Sequence, residues 1–79
     1  KVDDTPPGIA EGVAAGCPTV GVALSGNIAG LTPEDLAALS PAEVDPIRER
    51  ATAILRAAGA THVIDTVADL PRLIEAEWP

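Results

Sequence analysis

Residues 19–24, Thr-Val-Gly-Val-Ala-Leu, decide the fold. The run is β-branched and apolar without alternation, the pattern of a strand buried on both faces, as in parallel sheets. Upstream of it, residues 9–15 read as a short helix stopped by Gly16, a typical C-terminal glycine. Before that helix, Thr5-Pro6-Pro7-Gly8 cannot continue a strand, because two prolines remove two backbone donors and Gly8 relaxes the chain. Lys1-Val2-Asp3-Asp4 therefore reads as the tail of a strand with two acids where it ends.

Downstream, residues 25–30 form a flexible loop at the carboxyl end of the central strand. Thr32-Pro33-Glu34-Asp35 follows, with a threonine N-cap, proline at the first helical position and an acid in the first turn. Ser40-Pro41-Ala42-Glu43 repeats the device as a capping box. Asp45-Pro46 offers a third start, so a re-initiated or kinked helix is expected there. Ile47, Ala51, Ile54, Leu55 and Ala58 then fall at helical spacing, with Arg48, Glu49, Arg50 and Arg56 mostly off that stripe. Gly59 ends the helix. Residues 62–65 read as a short strand, and Thr66-Val67-Ala68-Asp69 as a capping box opening a last helix with Leu70, Leu73 and Ile74 on its apolar face.

Strands alternating with helices argue for an α/β fold with a parallel sheet. Three short strands, their helices and a helical hairpin insert make half of a doubly wound, Rossmann-like domain. The other half is expected before Lys1. The chain starts with Lys1, as if in mid-strand, and reads as a piece of a longer cytoplasmic chain.

Composition supports that reading. A chain of 79 residues buries only about 60% of its unfolded surface and is marginal as an independent fold. Apolar residues make up 47% of it, yet Trp78 is the only aromatic residue besides His62. A core of small aliphatics suits helices packed closely on a parallel sheet. The net charge is −7, from 12 acids against 5 basic residues, and no basic cluster exists to neutralise phosphates. Nucleic acid and anionic membrane surfaces are therefore excluded as partners. A small anionic substrate is not, because a metal ion can supply positive charge locally. Cys17 is the single cysteine, so there is neither an intrachain disulfide nor a cysteine zinc cluster; it is expected to be a small buried residue. No signal peptide is recognisable, and no apolar run approaches the ~20 residues of a membrane span.

In open parallel sheets, ligands bind beyond the carboxyl ends of the strands. Asp3-Asp4-Thr5, residues 25–30 and Asp65-Thr66 occupy that edge. Asp3 and Asp4 are adjacent, so in an extended chain they point to opposite sides and serve different ends. A carboxylate at a strand terminus suits magnesium, which prefers oxygen and takes few protein ligands beside phosphate and water. The alternative is that both acids cap the following turn. Asp65 reads as a helix-entry residue, His62 as a structural histidine in an apolar strand, and Trp78 as a packing or interface residue. Ser25 and Asn27 have no base nearby in the sequence, and Gly26 and Gly30 form no phosphate loop, which would need a lysine.

The run KVDDTPPGIAEGVAAGCPTVGVALSGN resembles the fourth motif of the haloacid dehalogenase superfamily together with the strand after it. Within that superfamily the likeness is greatest to the phosphonoacetaldehyde hydrolases, carried by SGNIAGLTPEDLAALSPAEV and by AAGATHVIDTVADLPRLI. The resemblance implies that residues 1–79 are the C-terminal part of one core domain, without the cap domain and the half bearing the nucleophile. It implies Asp4 as a magnesium ligand, with Asp3 supporting it from behind. Where some relatives carry a further acid, this chain has Gly8. It also implies a small phosphonate substrate, a homodimeric parent enzyme, and C–P bond cleavage through an aspartate nucleophile and a Schiff-base lysine. Neither of those is found here: the sole lysine, Lys1, is not assigned that role, no catalytic residue is identified, and the isolated chain is expected to be inactive. Rival readings are another phosphatase of the same superfamily, similar to phosphoglycolate phosphatases, a receiver-like signalling domain, and an acidic interaction module.

Overall fold

Thr5 starts the first helix. Its backbone is extended, its hydroxyl accepts from the Gly8 N–H at 3.1 Å, and two prolines follow as the first helical residues. Proline fits there because its missing N–H would have no intrahelical partner. Helix α1 thus runs Pro6–Ala14, three residues earlier than the apolar pattern alone suggests. The computed structural model describes residues 1–25 and 28–78. In order they form β1 (Val2–Asp3), α1, β2 (Val20–Val22), α2 (Pro33–Ala38), α3 (Pro41–Ala57), β3 (His62–Ile64), a 3-10 turn (Val67–Asp69) and α4 (Leu70–Glu77).

The strands make one parallel sheet in the order β1-β2-β3. Val2, Val20 and His62 stand in one row, and Asp3, Gly21 and Val63 in the next. The central strand is buried throughout, as its unbroken apolar run requires. Gly21 explains the one small residue in that run: a β-carbon there would sit 3.0 Å from Leu55 Cδ1. Helix α3 can therefore lie close on the sheet. Leu55 and Ile9 are fully buried with Ala60, while Ala23, Leu24, Val44 and Ala51 form a second apolar group. Each large aliphatic so buried contributes about 1.5–3 kcal/mol relative to exposure.

Thr19 is the one buried polar residue among those described. Its hydroxyl donates to the Gly59 carbonyl at 3.0 Å and accepts from the Thr61 N–H at 3.2 Å, while the Thr61 hydroxyl donates to the Thr19 carbonyl at 2.7 Å. A buried hydroxyl is tolerated when it is bonded in this way, and here the bonds clamp the start of β2 to the start of β3.

Helices α1 and α3 end alike. Gly16 and Gly59 take positive φ (75° and 112°). The Cys17 N–H reaches back to Gly12 O at 3.0 Å, and the Ala60 N–H to Leu55 O at 3.1 Å. This is the Schellman arrangement, whose left-handed residue is best filled by glycine. It also corrects one expectation: Cys17 is exposed. The residue it faces across the motif is Gly12, which offers no side chain to bury it, whereas Ala60 faces Leu55 and is buried.

Two further expectations change. Helix α3 runs without re-initiation through Pro46, from a Ser40 cap whose hydroxyl accepts from the Glu43 N–H at 3.3 Å. The proline deprives Ala42, in the exposed first turn, of a bond, and the buried downstream face keeps the helix going. At the last helix, the Asp69 carboxylate accepts from the Thr66 N–H at 3.4 Å. Thr66 and Asp69 form the expected capping box, but it opens a 3-10 turn that precedes α4 and not the helix itself.

Candidate functional site

The carboxyl ends of β1 and β2 meet at a crevice of about 160 Å³ lined by Val2, Asp3, Asp4, Val22, Ser25 and Val67. Both acids singled out in the sequence therefore share one concavity with Ser25. A larger cavity of about 250 Å³ lies toward the other ends of the strands, under α4, but its lining is apolar apart from Lys1. Convergent polar groups, not size, mark a site. The smaller crevice has two carboxylates and a hydroxyl, a set that attracts a cation; a cavity of about 460 Å³ beside β3 also gathers charged groups, Asp65, Asp69 and Arg72.

Asp3 is committed to the turn. Its Oδ1 accepts from the Thr5 N–H at 2.8 Å and from the Thr5 hydroxyl at 2.7 Å. Its Oδ2 lies 3.6 Å from Lys1 Nζ, and the side chain is 22% exposed. These contacts, the Thr5 hydrogen bonds foremost and the Lys1 charge after them, hold the Asp3 carboxyl below its ordinary value against the opposing effect of partial burial. So Asp3 caps the turn as the alternative reading had it, and it does so as a carboxylate that stays ionised. Asp4, half-buried at the bend that follows β1, lines the same crevice.

The backbone under Asp3 must be glycine. A β-carbon built on Gly8 would run into the Asp3 carboxylate, and one built on Gly12 would lie 2.7 Å from Thr19 Cγ2 and 2.8 Å from Lys1 Cβ. Gly8 and Gly12, one helical turn apart, let α1 press against β1 and against the acids at its end.

Among the described residues, no three His, Cys, Asp or Glu side chains gather into a complete metal cage. The donors that are present, two carboxylates and a hydroxyl at an open edge, are hard oxygens. They fit one corner of a magnesium shell, an ion that takes few protein ligands.

The other edge residues behave as follows. Asp65, expected to be a helix-entry residue, forms a two-pronged ion pair with Arg48, whose Nε and Nη2 donate to its two oxygens at 2.8 and 2.9 Å. Arg48 Nη1 also donates to Asp45 at 2.7 Å. The Asp65 hydrogen bond, more than the other contacts, raises the guanidinium's pKa above its ordinary value. The Asp45–Arg48 pair was open to detection as helix neighbours; the Arg48–Asp65 pair, 17 residues apart, needs the fold. His62 meets Trp78 edge-on at 5.5 Å, a packing contact for both. Gly26 and Asn27 lie outside the described residues.

No protein-family model matches the chain. It is 55% identical over 74 residues to a phosphonoacetaldehyde hydrolase of Klebsiella pneumoniae, covering 94% of this chain and 28% of that protein. It is likewise 55% identical to the enzyme of that name from Aeromonas hydrophila, covering 26% of it. A crystal structure of a phosphonoacetaldehyde hydrolase-like protein from Oleispira antarctica superposes with a TM-score of 0.90 at 54% identity, over 96% of this chain and 28% of that one. The chain thus spans a little over a quarter of the length of the curated relatives it matches.

Proposed function

We propose that this chain, a homologue of phosphonoacetaldehyde hydrolases over about a quarter of their length, is the C-terminal part of the core domain of such an enzyme. Its role is to supply the magnesium-binding edge. The whole enzyme cleaves the C–P bond of phosphonoacetaldehyde to acetaldehyde and phosphate. The observation that carries the reading is the pair Asp3-Asp4 at the end of β1, in one crevice with Ser25 at the carboxyl edge of a parallel sheet.

In this assignment Asp4 is the carboxylate that faces the metal, and Asp3 fixes the bend that presents it. Magnesium, when bound, balances charge on the phosphoryl group. The chain's own groups do the rest: Asp3 and Thr5 lock the turn, Gly8 lets α1 approach, and Ser25 walls the crevice. The nucleophile and the Schiff-base lysine belong to the rest of the enzyme, which is cytoplasmic and homodimeric. The described residues include no helix long and apolar enough to cross a membrane.

Two assays test the assignment together. The full-length enzyme carrying this segment should release phosphate from phosphonoacetaldehyde in preference to phosphoglycolate, and the purified 79-residue chain should release none. Preference for phosphoglycolate, or turnover by the chain alone, would overturn it.

A further inference from the structure

Two strands end at the crevice, and β3 stands beside them. The Asp65 carbonyl, just past β3, accepts from the Leu24 N–H at 2.8 Å and from the Ser25 N–H at 3.3 Å. Ladder bonding thus continues beyond the last strand residues and fixes the backbone at Ser25, a wall of the crevice. The Asp65 side chain, in turn, is gripped by Arg48 through both carboxylate oxygens, and Arg48 is tied to its own helix through Asp45. The side chains of Arg48 and Asp65 are 38% and 40% exposed. An ion pair that open to water contributes little to stability. Its two-pronged geometry, however, fixes direction as well as distance.

We infer that Arg48 is a positioning residue for the hydrolase site: through Asp65 it holds the Ser25 backbone in place and so sets one wall of the crevice that Asp4 also lines. The inference rests on the crevice being the phosphoryl-handling edge proposed above. Arg48 does not line the crevice; it acts through Asp65, across the sheet from the acids. Arg48 reaches from the middle of a helix to the end of a strand, where a stabilising surface pair would serve equally well on α3 itself. Misplacing a site wall by a fraction of an ångström lowers turnover more than it lowers affinity, because reaction needs tighter alignment than binding.

The test uses the full-length enzyme with phosphonoacetaldehyde, comparing Arg48→Met, Arg48→Lys, Asp65→Asn and the Arg48→Met/Asp65→Asn double variant. Each single variant should lose about tenfold in kcat, with KM within about twofold. The double variant should be no worse than either single one, since both break the same link. Arg48→Lys keeps the charge but not the fork, so its kcat should fall as well; it also carries the test should Arg48→Met fail to fold. Unchanged kcat beside a lowered thermal midpoint would overturn the inference and leave the pair structural. Asp4→Asn in the same assay separates the two levels: if it too keeps full activity, the crevice assignment has failed and the inference with it. If Asp4→Asn is inactive while the Arg48 variants are not, only the positioning role has failed.

Discussion

Gly8 lies directly against the carboxylate of Asp3, so closely that no side chain fits between them. The contact joins the first turn of α1 to the end of β1. Asp3 is anchored there by the Thr5 N–H and hydroxyl, and the Thr5 hydroxyl in turn accepts from the Gly8 N–H. One short loop therefore ties strand, turn and helix around an acid, and this loop sets the position of Asp4.

Replacing Gly8 tests the contact. Gly8→Ala removes the clearance, so the carboxylate or the helix must move. Overpacking of this kind costs about 1–3 kcal/mol, outweighing the few tenths to 1 kcal/mol that alanine gains by restricting the unfolded chain. Chemical denaturation should show a lower midpoint with an unchanged slope; a midpoint at or above that of the parent would contradict the close approach.

Asp3 makes stability depend on acid. Its folded pKa is depressed, chiefly by the two Thr5 hydrogen bonds. A depressed carboxyl contributes stability that is present above its unfolded pKa, about 3.9, and is lost as pH falls through the lower folded value. Asp3→Asn keeps an oxygen acceptor for Thr5 but removes the titration. Stability of the variant should accordingly fall less steeply than that of the parent below about pH 4. Parallel curves below that pH would show that the Asp3 carboxylate is not specially held.

Leu55 anchors α3 to the sheet. It is fully buried and lies against Gly21 of the central strand. Leu55→Ala should destabilise the fold by about 2–5 kcal/mol, the cost of lost burial plus a cavity. A loss under about 1 kcal/mol, measured by urea unfolding, would mean that α3 does not pack where Gly21 places it.

Much of this was legible from the residues. The apolar run around Gly21 gave a buried central strand, Thr32-Pro33 and Ser40-Pro41 gave helix starts, and Gly16 and Gly59 gave helix ends, because each signal acts within a few residues. Asp3 and Asp4 were placed at a sheet edge by the same local reasoning, and their meeting with Ser25 follows from parallel strand order. What the sequence hid was long-range. The Arg48–Asp65 grip spans 17 residues and has no local pattern. Cys17 is exposed, against its apolar setting in the sequence, because its exposure depends on the bare Gly12 opposite it and not on the apolar strand after it. Helix α1 starts earlier than its apolar pattern because Thr5 caps it and makes the two prolines its first turn.

Metal dependence tests the central claim most directly. In the full-length enzyme, phosphate release from phosphonoacetaldehyde should be measured against magnesium concentration for the parent and for Asp4→Asn. The metal's stabilisation of developing charge is worth several kcal/mol. The variant should therefore lose about 100- to 1000-fold in turnover and need far more magnesium to reach its remaining rate, with thermal stability little changed. An Asp4→Asn enzyme with the parent's rate and the parent's magnesium response would contradict the account.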